Sequence, residues 1–183
     1  MDGQDQQVVV ERFDPEALYD FSEFDCGVDN LNDYLSKNIR KEYERKISIP
    51  HMCVVPGKSP EDPKRVLGYF TLSSSSFDKE HLSNSERRKS PYRSFPCILL
   101  SKLAVCKSAQ GQGLGKYLLG RAIRQAYLSS RDVAVYALFL KAREGKEDFY
   151  LKAGMIRSKA QPDMFIMSLE QYEKGLRKQL KSN

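Results

Sequence analysis

Gln110-Gly111-Gln112-Gly113-Leu114-Gly115 lies between two runs of different hydrophobic period. Before it, Ile98-Leu99-Leu100 and Leu103-Ala104-Val105 read as a buried strand over Ile98–Val105, bounded by Pro96 and by the polar Lys107-Ser108-Ala109. After it, Leu118, Leu119, Ala122, Ile123 and Ala126 recur at spacings of three and four, which predicts an amphipathic helix over Tyr117–Tyr127. Glycines at such a switch let backbone amides approach a ligand without a β-carbon in the way. The first turn of the helix adds unpaired N–H groups and a partial positive charge. Strand, glycine turn and helix start together form a seat for a phosphate or a diphosphate.

The spacing of Gly111, Gly113 and Gly115 excludes two common phosphate loops. It is not G-x-G-x-x-G with an acidic residue about 20 positions later, and no G-K-[ST] follows as in a P-loop. Gln110-x-x-Gly113-x-Gly115 resembles instead the [QR]-x-x-G-x-[GA] loop of the GCN5-related N-acetyltransferases. A second segment resembles the same family. Val133–Leu140 has the content of a strand, and Gly145–Met155 reads as a short helix stopped by Gly154. Asp148-Phe149-Tyr150 and Gly154-Met155 match the family's A-x-x-F-Y-x-x-x-G-F, with Met155 where the family usually carries an aromatic residue. The resemblance runs from about Val54 to Ser168. It implies one N-acetyltransferase domain over residues 1–183, an α/β fold whose central sheet is mixed, mostly antiparallel and flanked by helices.

Composition agrees with one α/β domain. At 183 residues the chain is long enough to bury a full core. No segment reaches the apolar length of about 20 residues needed to cross a bilayer, so no membrane partner is expected. Asp2, Asp5 and the glutamines before Val8 are unlike a signal peptide, which points to a cytoplasmic protein. Cys26, Cys53, Cys97 and Cys106 are widely spaced, with only His51 and His81 beside them. Free thiols, and no metal site, are the expectation.

Elsewhere the pattern predicts a first strand from Val8 to Phe13 and a helix from Asp29 through Lys46, with Asp29 as its cap. Met52–Val55 and Val66–Leu72 form a hairpin across a Pro- and Gly-rich loop. Asp78–Ser94 is a polar, basic excursion. Ile156–Ser158 and Met164–Ser168 pair around Gln161-Pro162-Asp163, and Leu169–Leu180 is a terminal helix. The Ser73-Ser74-Ser75-Ser76 run has no evident role.

The resemblance implies transfer of an acetyl group from acetyl-CoA to an amine. In the family the diphosphate lies on the amides of the glycine loop, here Gln110, Gly111, Gln112, Gly113, Leu114, Gly115 and Lys116. The pantetheine arm pairs with the preceding strand, here Leu103, Ala104 and Val105. Phe149 is a further cofactor-binding candidate, and Tyr150 stands where the family places the donor that protonates the departing thiolate. A phenol suits that role because it is protonated at neutral pH. No general base stands out; Glu80 and His81 fall in the excursion.

Phe24-Asp25-Cys26-Gly27 and Leu31-Asn32-Asp33-Tyr34-Leu35 are similar to the F-x-C-G and L-N-x-[YF]-L pattern of one branch, the acetyltransferase toxins of bacterial toxin–antitoxin pairs. That likeness implies acetylation of an aminoacyl-tRNA, a neutralising antitoxin and a homodimer. Thirty basic against twenty-four acidic residues give a net charge of +6, which suits a polyanion without identifying one. Among the basic clusters, Arg87, Arg88, Lys89 and Arg93, with Tyr92 among them, are the candidates to meet RNA. Two other readings stay open: an acetyltransferase for a small amine or a protein amino group, and a non-catalytic acetyl-CoA-binding module.

Overall fold

The computed structural model describes residues 8–59, 61–88 and 90–181. In chain order the strands are β1 (Val9–Arg12), β2 (Tyr19–Asp20), β3 (Ile49–Val55), β4 (Lys64–Asp78), β5 (Ser94–Val105), β6 (Ala137–Lys141), β7 (Ile156–Arg157) and β8 (Met164–Ser168). The α-helices are α1 (Asp29–Asp33), α2 (Ile39–Glu44), α3 (Asn84–Arg87), α4 (Leu114–Ser129), α5 (Glu147–Lys152) and α6 (Leu169–Lys181). The chain divides into two compact units. One holds the residues up to Leu72 with Lys102–Gly120, the other Ser73–Ser101 with those from Arg121 onward.

In the first unit the strand order is β1-β3-β4-β5, with β2 parallel to the start of β4. β3 is an almost wholly buried run, so it pairs on both sides, antiparallel to β1 and to β4. Its core gathers Phe13, Phe24, Tyr34, Leu35, Met52 and Tyr69. Tyr34 stacks on Tyr69 with ring centroids 5.5 Å apart, and the Tyr69 hydroxyl donates to the Leu31 carbonyl at 2.8 Å. The helix expected from Asp29 is present but interrupted: a π-helical turn, Tyr34–Asn38, separates α1 from α2. Asp29 is not its cap. Val28 holds that position, with no side-chain bond.

In the second unit the order is β4-β5-β6-β8-β7. β5 and β6 run parallel, Cys97 opposite Ala137, whereas β8 is antiparallel to both β6 and β7. Phe77, Phe95, Phe139 and Ile166 lie in its core. Two expected strand limits shift. β5 starts at Ser94 and runs through Pro96, whose carbonyl accepts from the Tyr136 amide at 2.8 Å. β6 starts only at Ala137, and Val133 is 70% exposed. Ser73–Ser76 turn out to be strand, alternating half-buried and exposed along β4. Among its described residues the excursion contains α3 and a 3-10 turn, Lys79–His81. The four cysteines are free thiols. Among the described residues no helix is long and apolar enough to cross a membrane.

Candidate functional site

The glycine loop lies in the first unit. β5 ends at Val105, a 3-10 turn spans Lys107–Ala109, and α4 begins at Leu114. Gly111 and Gly113 have φ of +76° and +83°, a region that side chains with a β-carbon disfavour. Gly115 lies inside α4. The Tyr117 amide, donating to the Gly113 carbonyl at 3.0 Å, opens the helical ladder. The amides of Leu114, Gly115 and Lys116 therefore precede the first intrahelical bond, as the N–H groups of a first helical turn do. A Cβ built at Gly113 meets nothing within 4 Å, so there is open space beside the turn at this glycine. These features fit a diphosphate.

The strand beside the loop is placed by Gly68 in β4. A Cβ there would lie 2.9 Å from the Ala104 carbonyl oxygen and 2.9 Å from Leu118 Cδ1, so only glycine lets the end of β5 and the start of α4 approach so closely. β5 pairs with β6 only over Cys97–Leu99, which leaves Leu103, Ala104 and Val105 beyond that pairing. A ligand carrying amides pairs with a strand edge as an added strand would.

Gln110 serves the loop rather than facing outward from it. Its Nε2 donates to the Val105 carbonyl at 2.8 Å and to the Cys26 carbonyl at 3.2 Å. Gln112 Nε2 donates to the Ser108 carbonyl at 3.3 Å, and the Lys116 side chain is exposed. Across from Gln110 stands a carboxylate that sequence reasoning gave no role. Asp25 Oδ2 accepts from Lys107 Nζ at 2.6 Å, and its Oδ1 accepts from the Gly27 amide at 2.7 Å and from Asn32 Nδ2 at 2.9 Å. Lys107, then the Gly27 amide and Asn32, hold the Asp25 carboxyl down at about 2. The Asp25 carbonyl also accepts from the Lys107 amide at 2.7 Å.

Tyr150 belongs to the second unit, on α5. Its ring meets Phe149 edge-on at 5.0 Å and Phe165 at 5.6 Å. Burial raises its phenol above the ordinary value, so the hydroxyl keeps its proton. His81 is engaged elsewhere, its Nδ1 3.0 Å from Ser158 Oγ. A cavity of about 320 Å³ in this unit is lined by Tyr136, Arg157, Lys159 and Lys174, not by Tyr150.

The basic group divides. Arg87 Nε donates to the Leu82 carbonyl at 3.0 Å and its Nη2 to that of Glu80, so its guanidinium braces the turn before α3. Arg88 and Arg93 are exposed, with Tyr92 73% exposed between them in sequence. Lys89 lies outside the described residues. Among the described residues no group of His, Cys, Asp or Glu side chains could hold a metal ion.

No family model matches the chain. A tRNA-acetylating toxin of Mycobacterium tuberculosis is 34% identical to it over 129 residues, 68% of this chain and 73% of that protein. Among solved structures, a tyrosine-to-phenylalanine mutant of KacT is 31% identical, covers 92% of this chain and 99% of its own, and superposes with a TM-score of 0.86. AtaT in complex with acetyl-methionyl-tRNAfMet is 29% identical, covers 93% and 99%, and has a TM-score of 0.85. AtaT is also similar, at 26% identity and a TM-score of 0.76 over 92% and 98%, as a tyrosine-to-phenylalanine mutant bound to acetyl-CoA and the C-terminus of the antitoxin AtaR. The shared class is mixed α/β with a mostly antiparallel sheet. The identity and coverage of the mycobacterial relative show the family: the chain belongs to the acetyltransferase toxins among the GCN5-related N-acetyltransferases.

Proposed function

We propose that this protein transfers the acetyl group of acetyl-CoA to the amino group of an aminoacyl-tRNA and thereby blocks translation. The observation that carries the reading is the glycine loop, where two left-handed glycines precede three amides that come before the helical ladder. The relative named for tRNA acetylation and the AtaT complex with an acetylated aminoacyl-tRNA support the acceptor. The AtaT complex with acetyl-CoA supports the donor.

When bound, acetyl-CoA would supply a thioester carbonyl for the amine to attack; the new C–N bond would form as the C–S bond breaks, and the proton shed by the amine would pass to solvent. The chain's part is to seat the diphosphate on the amides around Gly113 and Gly115, with Leu103, Ala104 and Val105 offering an edge to the pantetheine arm. Tyr150 gives its phenolic proton to the departing sulfur, a task its raised pKa suits by keeping the proton in place beforehand. Arg88 and Arg93 supply charge toward the tRNA backbone. A cytoplasmic location belongs to the same proposal, since charged tRNA is its acceptor. An antitoxin covering the basic face and a homodimeric assembly complete the proposal, the first by analogy with AtaT and AtaR.

The test is to incubate the protein with labelled acetyl-CoA, charged tRNA and a panel of free amines. Label is expected on the aminoacyl group, with growth arrested on expression. Label on free amines alone, with normal growth, would replace this acceptor with a small one.

A further inference from the structure

We propose that the loop Asp25–Asn32 is a clasp that positions the cofactor loop, with Asp25 as its central positioning residue. The inference rests on the acetyl-CoA reading of the glycine loop.

The 3-10 turn that follows β5, Lys107–Ala109 with Gln110 closing it, is tied at both ends to this one segment. At its start, Lys107 is held twice, through its amide on the Asp25 carbonyl and through its ammonium on the Asp25 carboxylate. At its end, Gln110 is held by the Cys26 carbonyl. The segment is itself closed by Asn32, whose Oδ1 accepts from the Cys26 amide at 3.0 Å while its Nδ2 donates to Asp25. Gly27 completes the arrangement. Its φ is +83°, and a Cβ there would sit 3.0 Å from Lys107 Cε, in the track of the lysine stem. Cys26, Gly27 and Asn32 thus have a shared task that the start of α1 does not explain, since that helix has no side-chain cap.

Charge gives this proposal an unusual sign. A carboxylate near a diphosphate seat repels the ligand, and it also neutralises Lys107, which would otherwise attract it. If electrostatics alone governed affinity, Asp25→Asn would bind acetyl-CoA more tightly. If Asp25 acts by holding the turn, the same substitution binds it more weakly despite the gained charge.

Isothermal titration with acetyl-CoA, steady-state kinetics and a melting curve on wild type, Asp25→Asn and Gln110→Ala separate these. Both variants are expected to weaken acetyl-CoA binding about two- to tenfold, the scale of an exposed ion pair or of one hydrogen bond. The loss should fall on the KM for acetyl-CoA rather than on kcat, and it should persist well below the melting temperature. Equal or tighter binding by Asp25→Asn overturns the proposal. So does a lowered melting temperature with unchanged affinity, which marks a purely structural role. Failure of wild type to bind acetyl-CoA is a separate result and removes the reading underneath.

Discussion

Gly113→Ala and Gly120→Ala make the same chemical change in one stretch of chain, and the structure predicts opposite outcomes. An added Cβ meets nothing within 4 Å at either site, so steric crowding decides neither. Gly113 sits at φ +83°, where an L-residue costs about 1–2 kcal/mol. Gly120 is an exposed position inside α4, where alanine gains about 0.8–1.0 kcal/mol over glycine. For a chain of this size each kcal/mol moves Tm by about 2–4 °C. Gly113→Ala should therefore melt about 2–8 °C lower and Gly120→Ala about 2–4 °C higher. If the turn relaxes to relieve the strain, its amides leave their positions. The same 1–2 kcal/mol then appears as about a 5- to 30-fold loss of acetyl-CoA affinity at Gly113 and none at Gly120. Differential scanning fluorimetry and calorimetric titration read both quantities. Equal melting shifts for the two variants, or a Gly113→Ala protein unchanged in both melting temperature and affinity, would refute the assignment of this turn as a strained anion seat.

Tyr150→Phe should keep the fold and the acetyl-CoA affinity while lowering kcat by about two to four orders of magnitude, as loss of a general acid does. Because the protonated phenol is the working form and burial raises its pKa above the ordinary phenol value, wild-type kcat should show no Tyr150-dependent fall through the mildly alkaline range; a Tyr150-dependent decline already at pH 8 or 9 would contradict the role. Gly68→Ala should overpack the contact with Ala104 and Leu118 and destabilise the protein by about 1–3 kcal/mol, measured by denaturant titration. Exchanging Arg88 and Arg93 for glutamate should raise the KM for charged tRNA and flatten its salt dependence while leaving acetyl-CoA affinity unchanged, as parallel titrations would show.

What was legible in the chain was local. The glycine turn announces itself because strand period, glycines and helix period meet within a few residues, and the β7–β8 pair follows from the short apolar runs on either side of Gln161-Pro162-Asp163. Val133-Ala134-Val135 has the composition of a strand yet lies outside β6, which begins at Ala137, opposite Cys97 and Ser168. Ser73–Ser76 fails the other way. Serine carries no strand signal, but β4 continues through these residues all the same. The roles of Asp25 and Arg87 were hidden for a further reason. Asp25 meets Lys107 from a distant part of the chain, and a guanidinium that braces the carbonyls of Glu80 and Leu82 looks in sequence like one awaiting a phosphate.

The most direct measurement is a pair of calorimetric titrations, acetyl-CoA against S-acetylpantetheine, on wild type and on Gly113→Ala. The two ligands share the thioester and the arm, but only the first carries the diphosphate and nucleotide. The account predicts much tighter binding of acetyl-CoA by wild type, a gap that narrows in Gly113→Ala because only the larger ligand loses affinity. Equal affinity of wild type for both ligands would contradict it.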